Sequence, residues 1–206
     1  MKVAIIDYGI GNIRSVFNAV SCLGADSFIA QKADDLKKAD KIILPGVGSF
    51  DTGIVNLRNS GLIESLENYV KGKSIPYLGI CLGFQFLFDS SEEGQEKGFS
   101  WLSGNICEFD NKNVKVPHIG WNEVHINESH QSPIFKGISN KADVYFVHSY
   151  FLAQSEVTNP YELASCTYGE PYTVAVQKNN IFGVQFHPEK SQLVGMKILE
   201  NFLNYG

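Results

Sequence analysis

Three short apolar runs, each followed by helical patterning, restrict this chain more than any other feature: VAIID (3–7), KIIL (41–44) and PYLGI (76–80). Apolar strand-like runs that alternate with amphipathic helices build βαβ units on a parallel sheet. The spacing predicts one helix over Asn12 to Leu23, a second after KIIL and a third after PYLGI. In segment 61–72, Leu62, Leu66, Tyr69 and Val70 recur at i, i+4, i+7 and i+8, one face of a helix that covers a sheet. From about Gly104 the pattern changes to successive strands, NICEF, EVHI, VYFVHSYF, ELASC, TVAVQK and IFGVQF. Asn179 and Asn180 suit the positive φ values of a tight hairpin between the last two. Ser191 is placed to cap a closing helix with Val194, Ile198, Leu199 and Phe202 as its buried stripe. The expected fold is α/β and three-layered: a mostly parallel central sheet with helices on both faces and a mixed or antiparallel C-terminal extension.

At 206 residues and 44% hydrophobic content, the chain has material for one ample core, so a single domain over 1–206 is expected. A net charge of -5 without any Lys/Arg cluster argues against a nucleic-acid partner. MKVAIID shows none of the features of a secretory signal, and no apolar run reaches membrane-spanning length, so no membrane association is expected. Cys22, Cys81, Cys107 and Cys166 lie far apart, with no CxxC pair and no close histidine spacing, which suggests neither zinc nor a disulfide framework. A reducing, cytoplasmic setting without a metal is the expectation. Gly9-Ile10-Gly11 begins like a dinucleotide fingerprint, but Arg14 stands at the third glycine position.

The most informative segment is PYLGICLGFQFLF (76–88), in which a buried strand meets a helix at Gly79-Ile80-Cys81-Leu82-Gly83. This G-x-C-x-G pattern is that of a nucleophile elbow with sulfur in place of a hydroxyl, its glycines removing side chains that would collide. At a helix start, the dipole and free amides favour a thiolate at Cys81, and the Leu82 amide is aimed where an oxyanion would form. An isolated cysteine would read as a buried core residue, but the two glycines at this junction favour the nucleophile.

A cysteine nucleophile calls for a base, and His187 in GVQFHPEKS is the best placed of the five histidines. Pro188 biases His187 toward extended torsions, and Glu189 can hydrogen-bond the far ring nitrogen to set the tautomer. Taken alone, His187 also reads as a solvated strand-end histidine and Glu189 as a helix N-terminal acid. His118 and His148 are the next candidates, whereas His125 and His130 sit among polar residues. The turn Pro45-Gly46-Val47-Gly48 follows KIIL at the same carboxyl edge, where an amide at Val47 or Gly48 is placed to complete an oxyanion hole. By itself that turn reads equally as a strand-to-helix connection.

GICLGFQ together with FHPE resembles the class I (triad) glutamine amidotransferases. MKVAIIDYGIGN, PGVGSF, KVPHIGWN, YFVHSY and FGVQFHPEKSQ make it similar, over nearly the whole chain, to the glutaminase subunits of imidazole glycerol phosphate synthases. PGVGSF, PHIGWN and HPEKSQ set it apart from the pyridoxal phosphate glutaminases. The resemblance implies that Cys81, His187 and Glu189 form a triad that hydrolyses glutamine through a glutamyl thioester. It implies that Gln85 and Glu93 hold the amino acid end of the substrate, and that the backbone around His148, Ser149 and Tyr150 lines the same pocket. It implies no cofactor, and a (β/α)8 barrel cyclase as partner in a heterodimer that uses the ammonia in histidine biosynthesis. Phe84 stands where the family commonly has Met, and KGFSWLSGNICEF departs from its usual Gly-Leu-Gly-Leu run. Partner contacts are expected near the carboxyl edge, with Trp121 and Lys190 as candidates. Rival readings are the glutaminase subunit of another ammonia-channelling synthase, a γ-glutamyl hydrolase-like cysteine hydrolase or peptidase, and a binding subunit without activity.

Overall fold

The computed structural model describes residues 1–206, and its elements follow from where the apolar runs are buried. The first half is β1 (Lys2–Ile6), α1 (Ile13–Cys22), β2 (Asp26–Ala30), β3 (Lys41–Gly46), α2 (Phe50–Asn59), α3 (Leu62–Leu66), β4 (Tyr77–Cys81) and α4 (Leu82–Gln85). Then come the short β5 (Ser90–Ser91), β6 (Asn105–Glu108), β7 (His118–Ile126), β8 (Ala142–His148) and β9 (Tyr150–Ala153). The chain ends with β10 (Glu162–Tyr168), β11 (Glu170–Lys178), β12 (Ile181–Val184) and α5 (Gln192–Leu203).

These strands form one sheet whose main path runs β2-β1-β3-β4-β12-β11-β10-β7-β8. The first five strands of that path are mutually parallel, and from β12 onward each neighbour is antiparallel. Within β1, Val3 and Ile5 enter one core with Val16 and Val20 of α1 and Ile198, Leu199 and Phe202 of α5. Ala4 and Ile6 enter the other, with Ile54 and Leu57 of α2 and Leu62 and Leu66 of α3. Alternate strand side chains point to opposite faces, so the inner parallel strands, covered on both, are apolar at nearly every position, whereas the edge strand β2, DSFIA, is only partly buried. The three-layer expectation therefore holds, with the antiparallel strands as the C-terminal extension.

Three local expectations are refined. Segment 61–72 is α-helical only as α3, then widens into a π-helical turn over Glu67–Gly72. The Asn180 side chain donates to the Val70 and Ile75 carbonyls at 2.8 Å each, taking up acceptors at that widened end. Asn179 adopts φ 55° in the β11–β12 hairpin, as its side-chain chemistry allows, and only it needs a positive φ there. Ser191 stands at the N-cap of α5 but does not cap it: its hydroxyl donates to the His187 carbonyl at 2.6 Å and accepts from the Tyr145 amide at 3.0 Å. No helix is long and apolar enough to cross a membrane.

Candidate active site

The carboxyl ends of β3, β4 and β12 lie side by side, with Gly46 paired to Cys81 and Val184 to Ile80. That register brings three distant segments to one point. Cys81 itself adopts φ 54°, ψ -105°, a sparsely populated conformation for a residue with a Cβ. The flanking glycines are spatial requirements: a Cβ on Gly83 would collide with the Leu44 carbonyl, and one on Gly79 with the backbone of Gly83. The elbow is thus tight between β3 and β4, and Cys81 is only 6% exposed. Its thiol faces the Val147 carbonyl at 3.9 Å and the Gln185 side-chain amide at 3.7 Å.

Beyond β12 the chain bends at Gln185 and Phe186 and reaches His187, itself in an extended conformation, whose amide is held by the Tyr145 carbonyl at 2.9 Å. Its Nδ1 lies 2.8 Å from Glu189 Oε1, and the two side chains are 2% and 0% exposed. Asn12, before α1, donates its side-chain N–H to the same oxygen at 3.3 Å. His187 Nε2 has no hydrogen-bond partner by geometry, so the thiol acts on it mainly as a neighbouring charge. Burial is the strongest single influence and favours the neutral ring. The Cys81 sulfur and the Glu189 carboxylate together outweigh it, pushing His187 up to about 10. The expected base and its orienter therefore do meet the expected nucleophile, buried rather than solvated.

The thiol opens onto a cavity of about 360 Å³. Val47, Gly48 and Leu82 line it on the side of the elbow, with Gln85, Glu93, His148, Ser149 and Tyr150 around the rest. All eight residues expected around the substrate thus share one cavity, joined by Pro117 and Val147, which sequence reasoning missed because neither carries distinctive chemistry. Glu93 is tied to the start of α2 by the Phe50 amide at 2.9 Å, and burial raises its carboxyl above the ordinary value against that bond. Gln85 is buried and donates to the Tyr150 carbonyl and to Gln185 Oε1, both at 3.1 Å.

His118 and His148, the competing bases, are paired across β7 and β8 and share Tyr172. His148 Nδ1 is 2.8 Å from the Tyr150 carbonyl, so the ring holds the cavity wall rather than a proton for transfer. Burial pushes His148 down to about 3 and His118 down to about 4, leaving both neutral at physiological pH. Trp121 and Lys190 lie outside the cavity and converge on Tyr145: the Trp121 ring meets it edge-on at 6.1 Å, and Lys190 Nζ sits 5.6 Å from its centroid. A shallow groove beside them is lined by Trp121, 47% exposed, and by Leu193, 86% exposed. Asn12 and Gln185 were not singled out from sequence. For Gln185 a signal existed, since a polar residue interrupts the apolar run IFGVQF two positions before His187.

Comparison with known proteins fits this geometry. The family model described as glutamine amidotransferase class-I matches residues 4–205. The chain is 44% identical over 202 residues to imidazole glycerol phosphate synthase subunit HisH 2 of Pseudomonas aeruginosa, covering 98% of both chains. It is 45% identical over 205 residues to imidazole glycerol phosphate synthase subunit HisH of Bdellovibrio bacteriovorus, covering 97% of this chain and 98% of that one. Among solved structures, PurLQS from Thermotoga maritima superposes with a TM-score of 0.78 at 20% identity, over 99% of this chain and 98% of that one, a likeness of fold. With a cysteine elbow, a buried His-Glu pair and a family match along nearly its whole length, the chain belongs to the class-I glutamine amidotransferases.

Proposed function

We infer that this chain is the glutaminase subunit of an imidazole glycerol phosphate synthase, a single amidotransferase domain over 1–206 with Cys81, His187 and Glu189 as its triad. The observation that carries the reading is the parallel β4–β12 register, which sets the Cys81 thiol beside a His187 already ion-paired to Glu189. The Cys81 thiolate attacks the side-chain amide carbon of glutamine, and the carbonyl π electrons move to oxygen. The Leu82 amide and an amide of the Val47–Gly48 turn receive that oxyanion. Protonated His187 gives its proton to the departing nitrogen, the C–N bond breaks, and ammonia leaves a glutamyl thioester on Cys81. Neutral His187 then takes a proton from water as its oxygen attacks the thioester, and C–S cleavage releases glutamate. Gln85, Glu93 and the backbone of His148, Ser149 and Tyr150 hold the amino acid end of the substrate.

Ammonia passes to a (β/α)8 barrel cyclase, whose docking face we place at Trp121, Lys190 and Leu193 beside the triad; the reaction then belongs to histidine biosynthesis in the cytoplasm. The relatives' designation as a synthase subunit supports a partner subunit. The decisive variant is Cys81→Ala in the complex. Glutamine-dependent turnover should vanish while synthesis from added ammonium persists, since the thiol serves only ammonia release. Equal loss of both activities in a folded, partner-bound variant would refute this division of labour.

A further inference from the structure

We propose that Gln185 is a further catalytic residue, donating its side-chain N–H to the Cys81 sulfur and so holding the thiolate in place for attack. The proposal rests on Cys81 being the nucleophile. Gln185 is 0% exposed, with its Nε2 3.7 Å from Cys81 Sγ and its Oε1 3.1 Å from Gln85 Nε2. A chain of acceptors that cannot donate settles which end of each amide faces which neighbour. The Tyr150 carbonyl can only accept, so the Gln85 atom facing it at 3.1 Å is the nitrogen. That nitrogen also faces Gln185, whose opposing atom must then be the oxygen. The remaining Gln185 amide group, the NH2, is left facing the sulfur.

A fully buried amide donor needs a partner, and here the sulfur is that partner. The interaction is weak toward a neutral thiol and strong toward a thiolate, because hydrogen bonds to ionised groups are the stronger class. Gln185 itself takes no proton: the Cys81 proton goes to His187, and Gln185 only accommodates the charge left behind. When the thioester breaks, the same N–H receives the returning thiolate. Gln185 and His187 both reach the same thiol across the bend after β12, Gln185 through its Nε2 and His187 through a ring on which the sulfur acts. The other titratable groups around that sulfur are Glu189 behind His187, His148 at the end of β8, and Tyr8 after β1, whose hydroxyl burial and Cys81 push up.

Two variants separate sulfur donation from support of Gln85. Gln185→Glu keeps an oxygen for Gln85 Nε2 and replaces the donor with an acceptor, while Gln185→Met removes the donor without adding charge. The readout is the pH-dependent rate of Cys81 alkylation by iodoacetamide, followed on the peptide carrying Cys81 because exposed Cys22 also reacts. Urea unfolding checks that each variant is folded. Loss of a hydrogen bond to a charged group predicts a fall in rate at neutral pH of about tenfold to a hundredfold. The alkylation profile should move to higher pH, and kcat for glutamine should fall with KM little changed. Wild-type alkylation in either folded variant overturns the proposal, even if glutamine turnover is lost, because Gln185 would then only support Gln85. If Cys81 of the unmodified chain reacts no faster than Cys22, the nucleophile assignment itself fails, and with it this proposal.

Discussion

His187 takes its charge from two neighbours, the Cys81 sulfur and the Glu189 carboxylate, rather than from solvent. Its Nδ1 is committed to Glu189, itself further tied by Asn12, so the ring can present only Nε2 to the thiol. Because the Cys81 sulfur and Glu189 push the imidazole up to about 10 against burial, it stays protonated through neutral pH. Removing either neighbour should lower that value: the sign follows from losing an attraction to the charged form. Ring titration by NMR should place the midpoint near the alkaline value in the wild type and at a lower pH in Cys81→Ala and in Glu189→Gln. A wild-type midpoint at the ordinary histidine value would show that the two neighbours do not dominate burial.

At the scale of elements, the Pro45–Gly48 turn joins two roles that a glycine pattern alone does not distinguish. Gly46 is needed for space, since a Cβ there would run into the Tyr8 hydroxyl and Leu82. Gly48 is needed for torsion, with φ +110° and no more than an ordinary contact with Ile10 within reach of an added Cβ. The Val47–Gly48 peptide therefore has freedom to turn an amide toward the cavity or away from it, while its anchor at Gly46 is fixed against Cys81. We propose that this turn completes the oxyanion hole only when the partner is engaged. Gly48→Pro removes that amide and forces φ to about -65°. We expect it to reduce partner-activated glutamate release by about a hundredfold to a thousandfold. Glutamate release by the free wild-type subunit that matched the cyclase complex with its ligand bound would refute the switch.

Over the whole molecule, the antiparallel extension carries both the cavity wall and the proposed docking face. Trp121 on β7 packs on Tyr145 of β8, and Lys190, just past the triad, covers the same ring. Trp121→Ala should weaken binding to the cyclase by about 2 kcal/mol, as expected for a central aromatic contact. Lys190→Ala should weaken it less, and unchanged affinity in both, measured by calorimetry, would move the interface elsewhere. The buried His118–His148–Tyr172 cluster should make the fold acid-sensitive, because burial disfavours the charged form of both rings. Burial holds folded His118 down to about 4, below its ordinary value of 6.5. Between those values the unfolded chain binds a proton that the folded chain does not. Its contribution is intact above pH 6.5 and is lost as pH falls toward 4. The urea midpoint should drop between pH 7 and pH 5 less steeply in His118→Phe, which keeps the stacking on Tyr168 and Phe146, than in the wild type. Parallel slopes would rule His118 out as the titrating group.

Everything governed by short-range periodicity was legible in the chain itself: the parallel strands, the helices that cover them, the hairpin at Asn179 and the elbow around Cys81. These depend on the alternation of apolar positions and on what a Cβ would hit within one turn. His187 and Glu189 were legible for the same reason, lying two residues apart beside a proline. The fold alone decided what depends on register between remote strands. Pairing of β4 with β12 joins Cys81 to Gln185 across 104 residues, and pairing of β7 with β8 sets His118 against His148. It also turned two candidate bases into neutral wall supports and left Ser191 bonded to His187 and Tyr145 instead of capping α5. No local pattern encodes such contacts, because the partners of a buried polar group are chosen by whichever donors and acceptors packing brings within reach once water is excluded.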